Sequence, residues 1–129
     1  MKENKSGKII HVGSIASQEA VGSVGYNTVK SALAAYVRSL GREMASFGII
    51  VTGILPGGFT APGNSMQRLQ KNKPEAYKSF ITERLPRKKM GKVEEIIPLV
   101  CLLASDAGSM MSGCCVPIDA GEGKAYIAE

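Results

Sequence analysis

The 129-residue sequence is poor in several residue types, and each scarcity excludes a class of protein. It has no tryptophan and only 5% aromatic residues, too few for the base-stacking platforms of a single-strand nucleic-acid binder. A single histidine, His11, leaves little for a metal site, so no metal is predicted. The three cysteines lack C-x-x-C spacing and are odd in number, which argues against a disulfide framework and favours a reducing cytoplasm.

Long hydrophobic runs are also missing. No apolar stretch approaches the roughly 20 residues of a membrane span, and the polar N-terminus does not have the pattern of a signal peptide. We therefore expect no membrane segment. The hydrophobic content of 44% and the charged content of 21% are ordinary for a globular protein, and the length suits one hydrophobic core.

The formal net charge of +5 is scattered along the chain except for one basic cluster. The cluster consists of Arg84, Arg87, Lys88, Lys89 and Lys92. A cluster of this kind can meet phosphate or another anion, although most such runs are solvated loops. Anion or nucleic-acid binding is therefore kept as a remote alternative, and no nucleic-acid partner is predicted.

Hydrophobic periodicity predicts two strands joined by a long helix. Lys8–Val12 is rich in β-branched residues, and Ile49–Leu55 is apolar almost throughout, which indicates burial on both faces of a parallel sheet. Between them, a helix is predicted from about Gly25 to Phe47, with Gly48 as its C-terminal cap. Its buried stripe is predicted to contain Val29, Leu33, Val37, Leu40, Met44 and Phe47. Gly41, inside this helix, suggests the close approach of another backbone.

The chain from Phe59 to Lys92 is polar, basic and interrupted by proline and glycine. A segment of this length between core elements is typical of a lid or a binding loop. A helix is predicted within it from about Pro74 to Glu83, with its apolar side formed by Tyr77, Phe80 and Ile81.

After this segment, the pattern predicts one more helix and one more strand. The helix covers Val93–Ala104, and Pro98 within its first two turns is expected to distort it. The strand covers Cys114–Ile118, and Pro117 either places it at a sheet edge or ends its pairing there, because proline has no N–H to donate.

Tyr26 and Lys30 stand four residues apart near the start of the long helix, so they lie one turn apart on the same side. An adjacent ammonium favours phenolate over phenol, which suits a general acid/base near neutral pH. Ser14 follows the first strand, and its hydroxyl could project toward the same place. The spacing alone also occurs on many helices in which a solvated lysine packs along a ring.

The order of the motifs resembles the short-chain dehydrogenase/reductase family. The residues that carry the resemblance are Gly7–Ser17, Tyr26-x-x-x-Lys30-Ser31-Ala32-Leu33, Ile50–Gly57, Lys89–Ile96, Leu102–Asp106, Ser112-Gly113 and Asp119-Ala120-Gly121. They run in family order over nearly the whole chain. The resemblance implies a Rossmann-like, doubly wound parallel α/β sheet. Residues 1–129 would be a single partial domain, the C-terminal catalytic half with about three strands and their helices.

The resemblance also implies a chemistry: hydride transfer between NAD or NADP and a carbonyl or alcohol substrate. Tyr26 would be the acid/base, Lys30 would favour its phenolate and bind the nicotinamide ribose, and Ser14 would polarise the substrate oxygen. The cofactor would be contacted by Tyr26, Lys30, Pro56, Gly57, Phe59 and Thr60. Residues 59–92 would bind the substrate.

The sequence departs from the family pattern at several points. It has Ala61 where the family often has threonine, which makes Thr60 a softer assignment, and His11 where asparagine is common. No G-x-x-x-G-x-G turn for the cofactor pyrophosphate occurs. We therefore expect Met1 to lie at an internal position of a longer protein. The alternative is a non-catalytic truncated remnant or assembly module.

The family forms dimers or tetramers, so a homo-oligomer is expected as well. Its contacts would come from the long helix, the last helix and the edge strand. Taken alone, the 129-residue chain is expected to be inactive, to bind NAD(H) or NADP(H) weakly and to associate rather than remain a monomer.

Overall fold

A computed structural model describes residues 1–125. Within them lie five strands and four α-helices in the order β1 (Gly7–Val12), α1 (Val24–Met44), β2 (Ile49–Pro56), β3 (Phe59–Thr60), α2 (Ser65–Asn72), α3 (Pro74–Ser79), β4 (Gly91–Lys92), α4 (Ile97–Ala104) and β5 (Cys115–Ile118). None of the helices in this part of the chain is long and apolar enough to cross a bilayer.

The main sheet has the strand order β1-β2-β5, and both pairings are parallel. Lys8 is the register partner of Ile50, and Pro117 is the partner of Leu55. The predicted parallel sheet is confirmed, and β5 begins at Cys115 and lies at an edge of the sheet, which is one of the two placements that Pro117 allowed. The long helix α1 connects β1 to the neighbouring strand β2, so these three elements form one crossover unit.

Both faces of β2 are buried, as its continuous hydrophobicity predicted. Val51 is fully buried on the side of α1, and Ile54 is 1% exposed on the side of α4. Alternate residues of a strand point to opposite faces, so one strand supplies both cores. The α1-side cluster is Val37, Met44, Ile49 and Val51, and the α4-side cluster is Ile54, Ile96 and Leu103.

Helix α1 follows the prediction at its middle, but it ends at Met44 and not at Phe47, and the 3₁₀ turn Ala45–Phe47 continues it to Gly48. Gly48 has φ +67°, the left-handed conformation of a helix C-terminal cap. Gly41 is buried, and a Cβ there would lie 2.7 Å from Gly113 Cα, so the expected close approach of another backbone is confirmed. The Ser112 hydroxyl reinforces this contact by donating to the Gly41 carbonyl at 3.1 Å.

The predicted buried stripe is wrong at both ends. Val29 is 65% exposed and Phe47 is 36% exposed, whereas Val37 is 1% exposed. The first turns of α1 pack against the turn after β1 through polar groups, because Asn27 donates to the Glu19 carbonyl and Ser31 donates to the Ser17 carbonyl. This side of the helix faces the turn, so the side chain of Val29 points away from it.

Residues 59–92 contain more helices and strands than their sequence predicted. Helix α2 was not predicted, although Asn64 caps it by accepting from the Gln67 N–H at 2.9 Å. Strands β3 and β4 were not predicted either, and their parallel pairing joins the two ends of this segment. The helix predicted from about Pro74 to Glu83 is present as α3, which continues into a π-helical turn at Phe80–Arg84.

The prediction for the last helix is wrong at its start. Val93–Glu95 forms a 3₁₀ turn, and α4 begins at Ile97 with Pro98 in its first turn. Proline lacks an N–H and clashes with the carbonyl four residues earlier, so a regular α-helix cannot run from Val93 through this position. The expected distortion therefore takes the form of a new helix start.

Candidate active site

Ser14 lies just beyond the end of β1. The Gly13 N–H still pairs with the Ile54 carbonyl at 2.8 Å, and the chain then turns into a short 3₁₀ segment, Ile15–Ser17. Ser14 caps this segment, and its Oγ accepts from the Ala16 N–H at 3.1 Å. Its side-chain oxygen is thus fixed as an acceptor, which leaves the hydroxyl proton available to a ligand oxygen.

Tyr26 and Lys30 lie side by side in the first turns of α1. The Lys30 Nζ is 5.6 Å from the centroid of the Tyr26 ring and donates to the Val12 carbonyl at 3.2 Å. Ser23 caps the helix by accepting from the Tyr26 N–H at 3.3 Å. The ammonium is therefore held between the end of β1 and the phenol.

The turn after β2 is built on two glycines with no room for a side chain. A Cβ on Gly57 would lie 2.6 Å from Glu122 Oε2 and 2.8 Å from Asp119 Cβ. A Cβ on Gly58 would lie 2.8 Å from the Phe80 ring. Both glycines also line the neighbouring cavity, where they present backbone and no side chain, which lets a flat ligand approach closely.

These groups line one cavity of about 390 Å³, within the range of small-molecule sites. The sequence-predicted residues on its wall are Ser14, Tyr26, Lys30, Pro56, Gly57 and Phe59. Thr60 is not on that wall. Its hydroxyl donates to the Gly91 carbonyl at 3.3 Å and ties β3 to β4.

Two further residues on the cavity wall, Arg84 and Glu122, were not singled out as site residues by the sequence. The Arg84 Nε lies 2.7 Å from Glu122 Oε1, and the Glu122 side chain is only 2% exposed. Glu122 Oε2 accepts from the Gly58 N–H at 2.5 Å. Arg84 was noticed only as part of the basic cluster, and no spacing pattern links it to a glutamate beyond β5.

Two of the five members of the basic cluster are paired with carboxylates. Arg84 is paired with Glu122, and Arg87 Nη1 is 2.7 Å from Glu95 Oε1. The hydrogen bond from Arg87, reinforced by the Lys92 backbone N–H, lowers the pKa of Glu95 to about 2. Among residues 1–125, no group of three His, Cys, Asp or Glu side chains is placed to hold a metal ion.

Comparison with known proteins identifies the class to which this fold and site belong. Residues 1–122 match the family model described as enoyl-(acyl carrier protein) reductase. Levodione reductase from Leifsonia aquatica is 30% identical, over 98% of this chain and 48% of that protein. A crystal structure of levodione reductase superimposes with a TM-score of 0.85 at 32% identity, covering 98% of this chain and 50% of that one.

A further match is the structure of a gluconate 5-dehydrogenase from Burkholderia cenocepacia in complex with NADP and tartrate. It has a TM-score of 0.83 and 25% identity, covering 94% of this chain and 46% of that one. The chain belongs to the short-chain dehydrogenase/reductase family, and its fold is the corresponding part of the Rossmann-like α/β domain. It spans about half the length of the relatives it matches.

Proposed function

We propose that this chain carries the proton-transfer side of an NAD(P)-dependent oxidoreductase acting on a carbonyl or alcohol substrate. The observation that supports this proposal is that Ser14, Tyr26 and Lys30 line one cavity together with the Gly57–Gly58 turn. Family membership supplies the reaction type, and the cavity supplies the groups that such a reaction needs.

In the reductive direction, the Tyr26 hydroxyl donates its proton to the carbonyl oxygen. Lys30 stabilises the phenolate that remains, because its ammonium is held beside the ring by the Val12 carbonyl. Ser14 donates its free hydroxyl proton to the same substrate oxygen and so stabilises the charge that develops there. In the oxidative direction, Tyr26 accepts the proton from the alcohol.

The residues present fit a nicotinamide cofactor, because Gly57 and Gly58 line the cavity beside Tyr26 and Lys30 with backbone alone, against which a flat ring can pack. Lys30 would bind its ribose beside Tyr26, which would also contact the cofactor. Pro56 and Gly57 would lie against the nicotinamide, and Phe59 and Thr60, on β3, are proposed for its carboxamide end. When bound, NAD or NADP supplies or accepts the hydride. A neighbour in this family binds NADP.

The protein is further proposed to act in the cytoplasm as a homo-oligomer, either a dimer or a tetramer. Val29 and Tyr36 on α1 are 65% and 52% exposed, and Ile97 on α4 is 50% exposed. Exposed apolar side chains of this kind on two helices favour helix-to-helix association. They equally support the alternative, a non-catalytic assembly module of the same fold.

The test is Tyr26→Phe in the full-length protein, assayed with NADH and NADPH against a panel of small ketones and secondary alcohols. Loss of the acid/base should lower turnover about 10²–10⁴-fold, while cofactor affinity measured by fluorescence titration stays close to that of the parent. Tyr36→Phe is the matched control, because Tyr36 is on the same helix and outside the cavity lining. Equal turnover in both variants would remove Tyr26 from the mechanism and favour the assembly module.

A further inference from the structure

Arg84 stands on the wall of the same cavity as Ser14 and Tyr26. It is the last residue of the π-helical turn Phe80–Arg84, which closes the helical part of the 59–92 segment. The proposed mechanism does not use it. A cationic side chain in a cavity that also contains the reacting groups is a candidate for substrate recognition.

The guanidinium of Arg84 is held in one orientation. Its Nε is 2.7 Å from Glu122 Oε1, its Nη1 donates to the Val21 carbonyl at 3.5 Å, and its Cζ is 5.4 Å from the centroid of the Phe80 ring. Its side chain is 32% exposed. A guanidinium fixed in this way loses little conformational freedom when it binds a ligand.

This ion pair offers donors to a ligand but no acceptors. Of the five N–H groups of a guanidinium, the partners within residues 1–125 account for two, so the rest of the fork is available. Both Glu122 oxygens are engaged, one by Arg84 and the other by the Gly58 N–H, and the carboxylate is almost fully buried. The pair is therefore suited to an anionic ligand group and not to a cationic one.

The net charge of the cavity wall also favours an anionic ligand. Its charged side chains are two cations, Lys30 and Arg84, and one anion, Glu122, which leaves a net charge of +1. Replacing an ion pair with apolar residues of similar size often costs no stability, so packing alone does not require this one. An arginine fork matches the planar geometry of a carboxylate.

We propose that Arg84 is a substrate-binding residue and that the cavity takes oxo acids or hydroxy acids, whose carboxylate pairs with its guanidinium. The inference rests on the proposed function, because it assigns Ser14 and Tyr26 to the oxygen that reacts. Glu122 is then a positioning residue, which holds Arg84 and the Gly58 turn at a fixed separation.

The experiment uses the full-length protein and a series of 2-oxo, 4-oxo and 6-oxo acids, each compared with its methyl ester. In the 4-oxo and 6-oxo pairs the acid and the ester present the same ketone and differ mainly in charge, whereas the 2-oxo ester also activates its adjacent ketone. For the best chain length, we expect the acid to exceed its ester in kcat/KM by at least about tenfold. Arg84→Gln should bring this acid-to-ester ratio close to 1, a loss of about tenfold or more, with Arg84→Lys intermediate because it keeps the charge and loses the fork.

Arg84→Gln alone leaves Glu122 buried without its partner, so a second variant separates this defect from the loss of recognition. The double variant Arg84→Gln/Glu122→Gln removes both charges and keeps an amide oxygen for the Gly58 N–H. It should show the same low acid-to-ester ratio. Lys78→Gln, which changes an exposed lysine away from the cavity, should keep the parental ratio.

Binding of the same acids is also followed by ligand-observed NMR, which needs no turnover. Acid binding that depends on Arg84 in a protein that reduces nothing would support the substrate class and refute the oxidoreductase proposal. Reduction of acids and esters with equal efficiency, unchanged in Arg84→Gln, would overturn the substrate class and leave the oxidoreductase proposal standing. Failure to bind or reduce any acid would likewise overturn the proposed substrate class.

Discussion

The crossover unit β1–α1–β2 and the segment 59–92 are organised by different interactions. In the crossover unit, long apolar elements cover each other, and six consecutive residues of β2, Val51 to Pro56, are buried. In the segment 59–92, neither α2 nor α3 has a buried residue, and only Leu85 and Met90 are nearly inaccessible. The segment is held by capping and by the β3–β4 pairing instead.

This difference separates stability from recognition. Burial of apolar surface dominates the free energy of folding, so the crossover unit is expected to carry most of it. The segment 59–92 is attached to that unit at few points and supplies Phe59, Phe80 and Arg84 to the cavity. Sites that must adapt to a ligand are commonly drawn from such weakly buried regions.

The difference between the crossover unit and the segment 59–92 should be largest in the free energy of unfolding. Ile54→Ala removes a side chain that is 1% exposed at the centre of β2 and should destabilise the protein by about 2–5 kcal/mol. Leu69→Ala, at a half-buried position of the mostly exposed α2, should cost about 1 kcal/mol. Urea denaturation of both variants gives the two values. Equal losses would show that the segment 59–92 is part of the main core.

A second, smaller effect concerns backbone contact within the crossover unit. Gly→Ala in a helix ordinarily adds about 1 kcal/mol of stability, but at Gly41 the new methyl group meets the backbone of Gly113. We expect a net destabilisation of about 1–3 kcal/mol. Gly25→Ala in the same helix has nothing within 4 Å and is the matched control, expected to be neutral or stabilising. A stabilising Gly41→Ala would contradict the close approach of α1 to this turn.

The smallest expected effect lies at the C-terminal end of the segment 59–92. The folded-state pKa of Glu95, about 2, is below its ordinary value of 4.5, so the stabilisation from its ionised form is present above pH 4.5. This stabilisation is lost as the pH falls from 4.5 to about 2. Arg87→Gln should raise the pKa of Glu95 toward 4.5, although the Lys92 N–H still lowers it.

An NMR titration of the Glu95 side chain measures this shift. The pair is exposed, so the variant should change the unfolding midpoint much less than Ile54→Ala does. Lys78→Gln breaks another exposed ion pair of the same segment and should leave the titration of Glu95 unchanged. A Glu95 pKa that stays near 2 in Arg87→Gln would assign the effect to the backbone alone.

The sequence predicted those elements whose apolar residues repeat over several turns or fill a whole strand. The long helix, the two main strands and the edge position of β5 follow from periodicity, continuous hydrophobicity and Pro117. Val29 was misassigned because periodicity does not reveal where a helix extends beyond the sheet. Strands β3 and β4 have two residues each, and a period cannot be recognised in two residues.

The sequence does contain a local signal for the start of helix α2. Asn64 before Ser65–Asn72 is a favoured capping residue, but the helix that follows is mostly polar. The Arg84–Glu122 pair left no local signal at all, because its geometry arises from two segments that meet only in the folded chain. The positions of Ser14, Tyr26 and Lys30 on one wall follow from a strand end and a helix start, which the sequence does predict.

The two apolar clusters lie on opposite faces of the main sheet, and this has a consequence for how the sequence can change in evolution. Val37 belongs to one cluster and Leu103 to the other, and alternate side chains of β2 face one or the other. Compensating changes are therefore needed only among residues on the same side of the sheet. Substitutions on the α1 side, which presents Tyr26 and Lys30, can therefore accumulate independently of substitutions on the α4 side.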